Sequence, residues 1–407
     1  MQNVNSKPLS LIIFIPLAIL ISIRPFFSGL AHFTLETFYE TALILISIAG
    51  LVLYKKRDLK TSFLIPILVL LAAHIVSHIF SVNHTNSTQE IIKLISLILP
   101  FSIILLSSDR QKETLIKVIV YSSIIISFYG IYQYFWGYDL LLRGLDDVSR
   151  LKIAGSSYAK DILMSKRAIA TFPSPTIFGS YLVIMFFLAL HLAKKQKMAI
   201  VAAIFISIAL LLTKSMGAWL VLIFGLAVYL ATSYNSIKHK KILIPLFSIL
   251  IALALTFILI TRWERLMNLE NPQNSITQRI NYWKTSIKII KDYPLTGVGP
   301  GNFQEVFLKY KVGQGTDARY AHNLILQTWA EIGVLGLAGL LCILLILIKA
   351  AKKRPENILL LVSSLAFISH NMIDITYFIP QVVVFFWIIS AISFSDPLLL
   401  KQDSCQI

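Results

Sequence analysis

Charge is what this 407-residue chain has least of: 14% of its residues are Asp, Glu, Lys or Arg. A soluble globular protein carries about 25%. With 57% hydrophobic residues and a mean hydropathy of +0.75, that shortage excludes a soluble enzyme and a disordered chain. Cysteine is nearly absent. Cys342 lies inside an apolar run and Cys405 near the C-terminal end, so a disulfide scaffold is excluded and neither residue has metal-ligand spacing. No long internal repeat is visible, which removes support for an inverted-repeat transporter. Acid is scarcer than base, 20 residues against 37. The bases do not gather into a nucleic-acid-binding stripe; they sit in short clusters between apolar runs, the pattern of cytoplasmic loops in a membrane protein.

The apolar runs are the dominant feature. Stretches of about 18 or more apolar residues read as membrane helices. Twelve spans are expected, near 9–23, 35–54, 62–81, 91–106, 115–136, 176–193, 198–213, 217–233, 242–261, 323–348, 357–371 and 377–394. The first ends at Ile23-Arg24-Pro25 without a small-residue cleavage site and reads as a helix, not a signal peptide. The fold class is therefore all-α: one polytopic transmembrane domain over 1–407. With the N-terminus inside, the inner segments hold 19 Lys and Arg and the four short outer loops hold two, Arg24 and Lys214. Short loops decide orientation, so both termini are expected in the cytoplasm.

Two outer loops stand out by length, 137–175 and 262–322, and long loops in a compact fold are usually functional or disordered. The second carries apolar residues at Ile276, Ile280, Trp283 and Ile287, with Arg279, Lys284, Lys288 and Lys291 between them. This spacing predicts an amphipathic helix over 275–292 at the outer membrane–water boundary, opened by a capping box of Ser275 and Gln278. Its basic side reads as a headgroup-binding face. Gly297-Val-Gly-Pro-Gly301 has no preceding strand and no following Gly-Lys-Ser/Thr, so it reads as a turn more readily than as a phosphate loop. Gln327 and Glu331 share one face of the tenth span, either as a functional pair or as packing groups. Gly333, Gly336 and Gly339 mark a thin face for close helix approach. His74 and His78 read as helix-packing residues, and Tyr129 to Tyr138 as an interfacial aromatic belt.

His322-Asn323, nine residues and then Gly333 and Gly336 spaced three apart resembles the bacterial O-antigen ligase family, which includes related polymerases and protein O-oligosaccharyltransferases. Arg279-Ile-Asn-Tyr-Trp283, Pro294-Leu-Thr-Gly-Val-Gly-Pro-Gly-Asn-Phe303 and Arg167-Ala-Ile-Ala-Thr-Phe172 resemble other family segments, in the same order. The likeness covers Arg167 to Gly336; the first 160 residues match in hydropathy alone. The family's Ser-Arg-Gly before the eighth span reads Ser215-Met216-Gly217 here, so Met216 stands at the arginine position and Lys214 becomes the candidate replacement cation.

The resemblance implies an inner-membrane glycosyltransferase that uses an undecaprenyl-diphosphate-linked glycan donor; no Asp-x-Asp or His/Asp cluster argues for a metal, and no cofactor is expected. The most favoured acceptor is lipid A–core, which would make the reaction O-antigen ligation. A polymerase of the same family is the alternative, and a polysaccharide-lipid transporter the alternative of another class. His322 and Arg279 are the expected catalytic residues. His322 could act as base or, as imidazolium, bind phosphate. Arg167, Lys214, Lys93, Trp283 and Asn323 are the expected substrate-binding residues, since a rigid guanidinium fork suits phosphate oxygens. His370, Asn371 and Asp374 are weaker candidates for substrate contact. Membrane lipids are the other expected partners, and no nucleic acid is.

Overall fold

The computed structural model describes residues 6–27, 33–53, 61–138, 164–233, 252, 256, 260, 263, 267–272, 274–353 and 355–394. The regular structure among them is all helical. The helices are α1 (Ser6–Ile23), α2 (Phe33–Leu53), α3 (Thr61–Ile79), α4 (His84–Leu106), α5 (Asp109–Tyr132), α6 (Pro175–Ala193), α7 (Met198–Thr213), α8 (Met216–Ser233), α9 (Ser275–Asp292), α10 (Phe303–Tyr310), α11 (Leu324–Lys353), α12 (Ile358–His370) and α13 (Pro380–Phe394). A single π-helical turn, Gln133–Gly137, extends α5. Six of the described helices are long and apolar enough to cross a membrane, and Leu11–Phe26, Ile65–Ile79, Met198–Thr213 and Pro380–Phe394 are shorter apolar helices. Eleven of the twelve expected apolar runs coincide with a helix. All of the 242–261 run but residues 252, 256 and 260, and most of the 137–175 loop, lie outside the described residues.

α6 is the hub. It packs on α5, α7, α8, α12 and α13, with Phe178, Tyr181 and Phe187 fully buried. At the rim the pattern inverts: Ile12, Phe38, Leu45, Ile65 and Leu68 are each more than half exposed. So much bare apolar surface would be untenable in water and is ordinary against lipid. Lipid also removes the hydrophobic drive that would press helix on helix, so close van der Waals fit and polar ties do more of the work. Arg24 is the clearest tie. It is fully buried, pairs with Glu36 at 2.5 Å, and lies between the Phe27 and Tyr39 rings at 4.9 and 4.8 Å. Removing one partner of a buried pair costs about 3–5 kcal/mol, because the other charge is stranded.

A second, smaller core lies beside the bundle, where Tyr282 and Ile289 of α9 meet Val298, Phe303, Phe307 and Ala321. The amphipathic helix has the bounds the periodicity predicts, Ser275–Asp292, but it opens differently. Asn274, not Ser275, is the N-cap: its side-chain oxygen accepts from the Ile276 N–H at 3.0 Å. Gln278 is drawn away from the expected capping box, its amide oxygen accepting from the Tyr282 and Thr316 hydroxyls at 3.3 Å each. Ile280 and Ile287 are exposed, and so are Lys284 and Lys288. The helix thus turns an apolar and basic arc outward and packs through Tyr282, Ile289 and Ile290.

The glycine-rich turn is threaded against α11. Val298 N–H donates to Ala330 O, and Gly299 N–H to Glu331 O. These amides are spent on the fold, which favours the turn reading over a nest for anions. Gln327 and Glu331 clasp the same segment: Gln327 Oε1 accepts from Ala321 N–H at 2.5 Å, and Glu331 Oε1 from Phe303 N–H at 3.0 Å. The expected thin glycine face is divided. Gly339 lies against the Leu70 backbone of α3, but Gly333 has φ 68 and ψ −170 and breaks α11 where the 295–296 backbone crosses it.

Candidate functional site

The site is built where α9, the start of α11 and the turn after α12 converge. Asn323 caps α11, its Oδ1 accepting from Leu326 N–H at 3.0 Å, and its Nδ2 donates to Met372 O at 3.0 Å. Leu324 N–H donates to Asn371 O at 2.7 Å. These bonds pin residues 322–324 onto the 370–374 turn. His322, just before the cap, is held at φ 53, a left-handed conformation that few side chains adopt without a surrounding structure to impose it. Its ring stacks on Tyr282, centroids 5.7 Å apart.

From α9, Arg279 reaches the same turn. Its Nε donates to Ile373 O at 2.8 Å and its Nη1 to Ser275 O at 3.3 Å, and Nη2 stands 3.8 Å from Asp374 Oδ2. The other oxygen of that carboxylate is 3.5 Å from His322 Nδ1 and accepts from Ile375 N–H at 2.9 Å. Asp374 thus stands between the expected base and the expected arginine. Burial pushes its carboxyl up, but the His322 contact and the charges of His370, His322 and Arg279 outweigh burial and hold it below the ordinary carboxylate range. A carboxylate at Nδ1 favours the tautomer with its proton there, which leaves Nε2 as the acceptor. The sequence ranked Asp374 low. Its one signal was an acid at the end of an apolar run, four residues after a histidine.

A second cation pair lies at the end of α7. Arg167 donates from Nε to Thr213 O at 2.9 Å, and the Tyr138 hydroxyl donates to Arg167 O. Lys214 follows Thr213 in a left-handed conformation, φ 48, with Nζ 5.5 Å from the Tyr134 ring centroid. The two groups of cations are linked through α8. A β-carbon at Gly217 would stand 3.2 Å from Ile373 Cδ1 and 3.6 Å from His370 Nε2, so the first turn of α8 rests on the 370–373 turn. Met216 is half-buried beside it. The structure therefore brings His322, Asn323 and Arg279 together, and Arg167 with Lys214. Trp283 lies one turn along α9 from Arg279, half-buried, its Nε1 without a hydrogen-bond partner. Lys93 on α4 pairs instead with Glu90 at 2.6 Å. This cluster offers a histidine beside a carboxylate, with the cations of Arg279, Arg167 and Lys214 nearby, a set suited to proton removal beside an anionic leaving group.

Residues 201–341 match the family model described as O-antigen ligase. The matched segment contains Lys214, Met216, Arg279, Trp283, His322 and Asn323, and supports membership of the chain in that family. No curated protein matches the chain.

Proposed function

We propose, from its place in the O-antigen ligase family, that this membrane glycosyltransferase moves a glycan from an undecaprenyl-diphosphate-linked donor to an acceptor sugar, with lipid A–core the favoured acceptor. The chain is read as a single inner-membrane domain with cytoplasmic termini and periplasmic segments 137–175 and 262–322. The observation that carries the reading is the Arg279–Asp374–His322 constellation.

In the reaction the bond from the anomeric carbon to the diphosphate oxygen breaks, and its electron pair leaves with the lipid diphosphate. The acceptor hydroxyl oxygen forms the new bond to that carbon. The hydroxyl proton passes to His322 Nε2, and Asp374 stabilises the resulting imidazolium. Arg279 already gives Nε and Nη1 to backbone carbonyls, so it presents only part of its fork and also fixes the turn that carries Asp374. Arg167 and Lys214 supply charge for the diphosphate, with Lys214 acting as a point charge where the family arginine is replaced by Met216. Trp283, half-buried, offers its ring to the glycan. A polymerase would use the same chemistry on a lipid-linked acceptor.

The test is transfer by purified, reconstituted protein with both acceptors supplied separately. His322→Ala should lower the rate by about two to four orders of magnitude, the usual contribution of a positioned base, while the protein stays inserted. Arg279→Lys should lower it clearly. Activity that rises with pH in the wild type marks His322 as base; the opposite slope, together with substantial activity in His322→Arg, would instead make it a phosphate-binding cation. Full activity in His322→Ala removes the residue from the mechanism. Transfer to the lipid-linked acceptor alone would make the protein a polymerase.

A further inference from the structure

Gln133 stands amid the aromatic run Tyr129 to Tyr138 and begins the π-helical turn that extends α5. Its neighbours Phe135 and Trp136 are more than half exposed, while Gln133 is 3% exposed. Its side chain grips the bend that carries Arg167. Oε1 accepts from Ala170 N–H at 2.8 Å and from Ile169 N–H at 3.1 Å, and Nε2 donates to Ala170 O at 3.5 Å. The bend lies outside any helix. Lys166 has φ 44 and Ala170 φ 50, left-handed values that a non-glycine residue keeps where its surroundings impose them. Between them, Ala168 N–H donates to Leu212 O at 2.9 Å, Arg167 Nε to Thr213 O at 2.9 Å, and the Tyr138 hydroxyl to Arg167 O. In an α-helix, residues five apart stand about 140° apart around the axis. A π turn closes i to i+5 bonds instead, which brings Gln133 and Tyr138 toward one face and lets both reach the bend. Tyr134, between them, sets its ring 5.5 Å from Lys214 Nζ. The π turn is thus tied to both cations at the end of α7.

We propose that Gln133 is a positioning residue for glycan transfer: from the π turn it holds the 167–170 bend, so that Arg167 stays fixed at the end of α7 where the donor diphosphate binds. The proposal rests on the transfer reading, in which Arg167 and Lys214 supply charge for that diphosphate. Without the side-chain amide, the Ile169 and Ala170 N–H groups lose their acceptor, a loss that the bend relieves by opening. Arg167 then leaves the Thr213 carbonyl. The diphosphate meets a mobile cation in place of a fixed one, and ordering that cation is charged against binding.

The experiment uses Gln133→Met and Gln133→Glu in the full chain. Methionine fills much the same space without the amide. Gln133→Met should raise KM for the lipid-diphosphate donor about tenfold with kcat nearly unchanged, the pattern of lost uniform binding. Gln133→Glu keeps an oxygen for the two N–H groups and should restore most of the wild-type KM. A second readout needs no substrate: phenylglyoxal adds to guanidinium groups, and site-resolved mass spectrometry follows the labelling rate of Arg167. That rate should rise severalfold in Gln133→Met and stay near wild type in Gln133→Glu. If Gln133→Met fails to fold, Gln133→Asn carries the test, because its shorter side chain keeps the amide but falls short of Ala170; it should move both readouts the same way. Arg167 labelling unmoved in the folded variant overturns the proposal. So does a loss of kcat with KM unmoved, which marks a packing role. Arg167→Ala separates the two readings. If it too leaves KM at the wild-type value while Gln133→Met still speeds labelling, the hold on Arg167 stands and its part at the diphosphate falls.

Discussion

Asp374 has three partners on two oxygens: His322, Arg279 and the Ile375 amide. Its folded carboxyl titrates below the ordinary value of about 3.9, so the sign of its linkage is fixed. Its stabilising contribution is complete above that value and is lost as pH falls toward the lower folded one,. Acid unfolding of the purified protein should therefore contain a component below about pH 4 that Asp374→Asn removes. At neutral pH the same variant should lose most transfer activity, because His322 keeps its place through Tyr282 but loses the charge that stabilises its imidazolium. Retained activity in Asp374→Asn would sink the base assignment for His322. His322, Asn323 and Arg279 were legible because they fall within short, ordered patterns. Asp374 was legible only as a weaker candidate for substrate contact, since its contact with His322 is made only by folding the turn after α12 back over the start of α11.

At the scale of elements, periodicity located α9 correctly but did not show which side of it would be covered. Ile276, Ile280, Trp283 and Ile287 form the apolar stripe, yet the buried residues are Tyr282, Thr285, Ser286, Ile289 and Ile290. A separate small core had formed on that face, and its members lie up to Ala330 in sequence. The glycines of α11 were likewise legible as a group but not individually. A side chain at Gly333 would meet the Leu295 carbonyl directly, in a backbone region that is essentially glycine-only,. At Gly339 it would come within 3.1 Å of Leu70 N, with an ordinary helical backbone. Gly333→Ala should therefore lower thermal stability or insertion yield severely, by about 1–3 kcal/mol from backbone strain alone and more from the clash. Gly339→Ala should be the milder of the two. The reverse order in a thermal-unfolding series would show that the kink is not required.

For the whole molecule, α6 runs from the site to the opposite end of the bundle. Ser180 near its start donates to Thr376, and Lys194 just past its end donates to Glu356 O. If the short-loop bias sets orientation, these ends lie on opposite sides of the membrane. A cysteine at exposed Gln314 should then react with an impermeant reagent from the periplasm, and one at Lys195 should not, with Cys342 and Cys405 replaced by serine. The opposite result would place the site in the cytoplasm. The site also has a consequence for biosynthesis. Arg279 and His322 are made well before Asp374, and the turn that joins them follows the next-to-last described helix. A nascent chain halted at residue 341 would hold the whole family-matched segment and still lack the carboxylate. On the proposed transfer reading, activity waits until nearly the whole chain is made, and premature-stop products should be inert toward a lipid-linked glycan donor.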